Sequence, residues 1–168
     1  MKQGVAGVVL AVFATASGVS VLAQKAPGAI RPEDPLIRGL VERGIERSET
    51  FRNLVGGLDK SDVVVYVRFS PCRSGAPACL MWASAGPGIR RLLVKIDPFA
   101  RRGRSDKDLM ALLAHELQHA SEVASAPGIT GVASFREWFA SHSRRGSPGL
   151  ETDQAVEVQR KVMAELFR

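Results

Sequence analysis

Aromatic residues are scarce, 6% of the 168 residues, with a single tyrosine, Tyr66. Modules that stack nucleic-acid bases on exposed rings have too little to work with here. Cysteine is nearly absent, and two residues, Cys72 and Cys79, cannot build a four-cysteine zinc site or a multiply bridged miniprotein. No repeat recurs at a solenoid period. Histidine occurs at three positions only, His115, His119 and His142. Against these absences stand 45% hydrophobic and 24% charged residues, the composition of an ordered chain with a packed core. That core must be drawn mainly from Leu, Val, Ile and Ala, in a single domain.

Lys2 precedes an uncharged run over residues 4–23 that closes on Val21-Leu22-Ala23. Residues 1–23 read as a secretory signal, and Gly18, Ser20 and Ala23 give the region before the cut the small-residue character that cleavage needs. The alternative is an uncleaved anchor, since the run is long enough to span a bilayer. No cysteine precedes Cys72, which excludes a lipid anchor on a cleaved cysteine. A secreted or periplasmic protein is expected, without stable membrane association once the signal is removed. The net charge is +6, with local clusters at Arg90-Arg91, Arg101-Arg102-Arg104 and Arg144-Arg145. Such clusters can hold phosphate backbones, but their places in turns and at element ends read as solvated charge, and export removes the chain from nucleic acid. Oxidising conditions favour a Cys72–Cys79 disulfide, which would stabilise the fold by about 2 to 3 kcal/mol.

Residues 24–34 contain Pro27, Gly28 and Pro32 and read as a flexible lead-in, leaving residues 35–168 as the domain. Over residues 35–55 the apolar positions Leu36, Ile37, Leu40, Val41, Ile45 and Phe51 recur at helical spacing, with Gly56-Gly57 as the stop. Residues 62–70 alternate, with Val63, Val65, Val67 and Phe69 on one side, and predict a strand. Residues 80–85 and 89–97 flank Gly86-Pro87-Gly88 and predict a hairpin with Leu92, Val94 and Ile96 on one face and Arg90, Arg91 and Lys95 interleaved toward water. Ser105-Asp106-Lys107-Asp108 then opens a helix that runs to about Ala124.

Inside that helix lies His115-Glu116-Leu117-Gln118-His119. Residues four apart stack on one helix face, so two neutral imidazoles can converge on one zinc ion while the Glu beside the first reaches water held there. At about 100° per residue, Glu116 falls within the apolar arc set by Leu109, Leu112, Leu113 and Leu117, with His115 and His119 at its shoulder. A carboxylate is thus expected to face the interior, where an ionised carboxylate is costly without a cation or several hydrogen bonds. The bland alternative is a pair of imidazoles on a half-exposed face.

Those five residues, on a capped helix after an antiparallel hairpin and before a further helix carrying an acid, resemble the zincin metallopeptidases. The resemblance implies that His115 and His119 bind zinc and that Glu116 is the general base. It implies a small α+β zincin-like domain with an N-terminal helix, a three-stranded antiparallel sheet, the motif helix and one or two C-terminal helices. The metzincin branch is excluded, since Glu122 and Ser125 stand where its longer signature has Gly and His. The branch whose third ligand is a downstream Glu matches better. A last helix over residues 150–167 puts Glu151 on the stripe of Ala155, Val158, Val162 and Leu166, aimed at the core. His142, Asp153, Glu157 and Glu122 are the other candidates, and Glu122 could instead orient a histidine. His142 closes an amphipathic segment, residues 132–141, that includes Phe135, Trp138 and Phe139. It reads either as a solvated loop histidine or as a donor to a developing oxyanion.

The expected protein is a secreted zinc-dependent hydrolase acting on a peptide or protein substrate. The alternatives are a non-catalytic domain that zinc stabilises and a metal-free binding module.

Overall fold

The computed structural model describes residues 28–144 and 150–168. The expected signal, residues 1–23, lies outside the described residues. The chain is α+β, in the order β1 (Ile30–Pro32), α1 (Pro35–Arg47), α2 (Glu49–Leu58), β2 (Val63–Phe69), β3 (Ala78–Gly86), β4 (Ile89–Ile96), α3 (Asp106–Ser125), α4 (Val132–His142) and α5 (Asp153–Leu166). No described helix is long and apolar enough to cross a membrane.

The sheet has four strands in the order β1-β2-β4-β3, not three antiparallel ones. β2 lies parallel to β4, and β1 lies parallel to β2, so only the β3–β4 pair is antiparallel. The hairpin forms around Pro87-Gly88, with Gly88 at φ 67°, a backbone that favours glycine. The lead-in is not all flexible, because residues 30–32 form β1 and pair with residues 65–67. Val63, Val65, Val67, Leu92, Val94 and Ile96 form the buried face of the sheet, on which the helices pack. Tyr66 alternates with Val65 and Val67 and so belongs to the opposite, open face.

The single helix expected over residues 35–55 is two helices. Ser48 breaks it, accepting a hydrogen bond at its side chain from Phe51 N while its own N–H closes α1 on Gly44 O. Gly44 lets the second helix fold back closely, since a Cβ there would stand 3.0 Å from the Phe51 ring. Glu165 of α5 accepts hydrogen bonds from Ser48 Oγ, Thr50 Oγ1 and Thr50 N, which ties the break to the last helix. Gly56 and Gly57 lie inside α2 rather than ending it.

α3 starts as expected, with Ser105 and Asp108 forming a reciprocal capping box. Its other end is held by Arg90, which is buried rather than solvated and shares the inward face with Leu92. The Arg90 guanidinium forms a bidentate pair with Asp62 at 2.7 Å and donates to the carbonyls of Val123 (2.7 Å), Ala124 (3.2 Å) and Ala126 (2.9 Å). One strand arginine thus satisfies the orphan carbonyls of the helix end and fixes α3 along its axis.

Candidate metal centre

α3 presents His115, Glu116 and His119 toward the edge strand β3 and the start of α5, and all three are buried. His115 Nε2 stands 3.2 Å from His119 Nε2 and 3.0 Å from Glu151 Oε1. One ligand atom from each of His115, His119 and Glu151 lies within 4.8 Å of the other two, a group that could hold a metal ion. The two separations from His115, 3.2 and 3.0 Å, are near the roughly 3.3 Å that a small four-coordinate metal ion sets between its ligands.

Glu151 reaches the group by a route other than the helical stripe. It precedes α5, whose first residue is Asp153 and whose N-cap is Thr152. Thr152 is buried; its hydroxyl donates to Glu122 Oε1 at 2.6 Å and accepts from Ala155 N at 3.2 Å. Glu122 Oε2 in turn meets His119 Nδ1 at 2.9 Å. A carboxylate only accepts, so this contact places the His119 proton on Nδ1 and leaves the Nε2 lone pair facing the group. Glu122 therefore orients His119 and stands outside the group, and Thr152 ties that carboxylate to the residue beside Glu151.

The two imidazoles are not equivalent. His115 Nδ1 is buried without a partner at hydrogen-bonding geometry. Gln159 of α5 approaches this ring closely enough to favour its charged form, yet the short bond itself is not made. Burial lowers the His115 pKa, and the His119 charge lowers it further against the opposing pull of Glu151. The neutral imidazole, the form that ligates a metal, is thereby favoured.

Glu116 is the most perturbed acid. Burial pushes its pKa up to about 7, with the Glu151 charge adding to the rise, while His119 and the Leu80 backbone N–H oppose it. It shares with His119, Glu151, Leu80 and Met81 a cleft of about 450 Å³ that runs along β3. The loop closing that cleft is clamped where Cys72 and Cys79 stand at disulfide geometry, Cα atoms 6.1 Å apart.

The other candidates lie elsewhere. His142 is exposed, stacked on Trp138 at 4.1 Å with the rings 7° from parallel, and its Nδ1 lies 2.8 Å from Trp138 O. It lines a separate hollow of about 520 Å³ with Trp138, Glu122 and Thr152. It does not line the cleft of Glu116, His119 and Glu151. Asp153 pairs with Arg144, and Glu157 with Arg160, both at 2.8 Å on the surface. Sequence reasoning missed Thr152, although a Thr at the start of an apolar helical stripe is a recognisable N-cap. It also missed Arg73 and Arg136, which stand on the walls of the Glu116 cleft.

No family model, curated protein or solved structure matches this chain.

Proposed function

We propose that the chain is a secreted or periplasmic zinc-dependent hydrolase of amide bonds, a small zincin-like metallopeptidase acting on a peptide or protein. The observation that carries this reading is the convergence of His115, His119 and Glu151 within 4.8 Å beside a buried Glu116 in an open cleft. Zinc in that group would polarise a substrate carbonyl and lower the pKa of a water ligand to about 7.

The chain's own residues supply the rest. Glu122 holds the His119 tautomer with its Nε2 lone pair toward the group, and desolvation favours neutral His115, which ligates through Nε2 once its ring proton sits on Nδ1. Glu116 has a pKa near neutrality and a fixed place on the helix. It is suited to take a proton from the attacking water and return it to the leaving amine. β3 is the edge of the sheet, so its outer backbone groups can hydrogen-bond an extended substrate with little demand on side-chain identity.

The test is metal content and turnover of residues 24–168. One zinc per chain in the wild type, retained in Glu116→Gln and absent from His115→Ala/His119→Ala, together with peptide cleavage lost in Glu116→Gln, is the expected outcome. Undiminished cleavage by Glu116→Gln would sink the mechanism, and four protein ligands around the zinc by X-ray absorption would favour a purely stabilising metal.

A further inference from the structure

The cleft beside Glu116 carries two arginines on its walls. Arg73 enters from the loop between Cys72 and Cys79, and Arg136 enters from α4, one residue after the buried Phe135. Other arginines of the domain are committed internally. Arg43 pairs with Asp106, Arg52 donates to the carbonyls of Ile45 and Glu46, Arg90 pairs with Asp62, and Arg144 pairs with Asp153. Arg73 and Arg136 make no hydrogen bond or ion pair among the described residues, and both are exposed.

The acids lining the cleft are Glu116 and Glu151. A divalent ion beside these two carboxylates offsets their charge and leaves the two guanidinium groups as the net charge of the loaded cleft. A positive cleft with low-dielectric walls concentrates anionic ligands, and the guanidinium fork matches a carboxylate in two parallel hydrogen bonds. Ala76, Ala78, Leu80, Met81 and Leu150 add apolar contact to the lining.

We infer that this cleft selects substrates carrying a carboxylate close to the scissile amide, received by Arg73 and Arg136. The inference rests on the hydrolase reading and adds the substrate class to it. The carboxylate belongs either to an Asp or Glu side chain or to the C-terminus of the substrate. The two Arg approach from different elements, so the anionic group sits between the disulfide loop and α4 while the backbone follows β3.

The test uses the zinc-loaded full domain and a pool of peptides from a digested bacterial proteome, half of it amidated at the C-terminus. Cleavage sites are mapped by mass spectrometry, and the zinc-loaded Glu116→Gln variant is used in parallel to retain peptides without cutting them. Peptides with an acid beside the bound amide are expected to be enriched about five- to tenfold in both experiments, the size of two partly exposed ion pairs. Arg73→Ala/Arg136→Ala should abolish the enrichment while keeping zinc, and Arg73→Glu/Arg136→Glu should turn it toward Lys and Arg. Enrichment confined to non-amidated peptides cut near their ends assigns the carboxylate to the C-terminus, and enrichment indifferent to amidation assigns it to side chains. Cleavage with no preference for acids, or a preference that survives the double Ala variant, overturns the inference alone. Failure to cleave or retain any peptide with zinc bound overturns the hydrolase reading and this inference with it.

Discussion

Glu116 and Glu122 lie on neighbouring turns of one helix, and both are more than nine-tenths buried. Glu122 has a partner for each oxygen, His119 Nδ1 on one and the Thr152 hydroxyl on the other. Glu116 is buried and faces the Leu80 N–H with the charges of His119 and Glu151 nearby, and burial raises its pKa to about 7. The same side chain thus serves two purposes according to what the neighbouring elements bring to it. A satisfied carboxylate holds geometry, and an under-satisfied one is available for proton transfer.

The largest effect that would break this contrast is on turnover. Glu116→Gln should lower kcat about 10²- to 10⁴-fold with zinc retained, the usual range for loss of a general acid–base, read by hydrolysis and metal analysis on the same sample. Glu122→Gln should instead weaken zinc binding about 10- to 100-fold, measured by chelator competition, and regain turnover when zinc is saturating. Equal losses of turnover at saturating zinc would erase the distinction between the two acids.

Stability of the metal-free protein sharpens it further. Burial raises the folded-state pKa of Glu116 above its unfolded value near 4.5, so the protonated form is favoured and stability falls as pH rises from about 4.5 through 7. Replacing it by Gln should therefore stabilise the metal-free domain by about 3 kcal/mol at pH 8, with no gain below about pH 4. Denaturant melts at the two pH values check this, and a gain of the same size at both would show that the carboxyl is not buried in its charged state. The smallest effect expected is at the link between the two sites. Thr152→Val removes one buried hydrogen bond and one helix cap, and should cost about 1–2 kcal/mol of stability and a few-fold in zinc affinity, both restored by Thr152→Ser.

The elements that were legible in the sequence carry their signal locally. β2 alternates, the β3–β4 turn is Gly-Pro-Gly, and α3 has both a capping box and a long apolar face. What was not legible depends on partners distant in sequence. The α1–α2 break has no Gly or Pro at its centre and is fixed by Glu165, more than a hundred residues later. Strand order cannot be read from alternation, since β2 presents the same inward face whether its neighbour is β3 or β4. β1 is three residues long, too short to show a period. Glu151 was placed by helical periodicity, yet it is delivered by the turn before the helix, so the residue was found through a geometry it does not adopt. Arg90 could have been found, because it alternates in phase with Leu92, Val94 and Ile96, and an arginine in that register has to seek carbonyls or a carboxylate inside.

The open side of β3 has one more consequence. An unpaired strand edge is available to the edge of another copy, the usual route to aggregation. In β3 the register is interrupted between Trp82 and Ser84, where the strand twists out of line, and the opposite end runs into the loop closed by Cys72 and Cys79. Residues 78–82 keep a regular register with β4. The interruption shortens the regular part of this edge, one of the ways in which native sheets blunt edge-to-edge pairing.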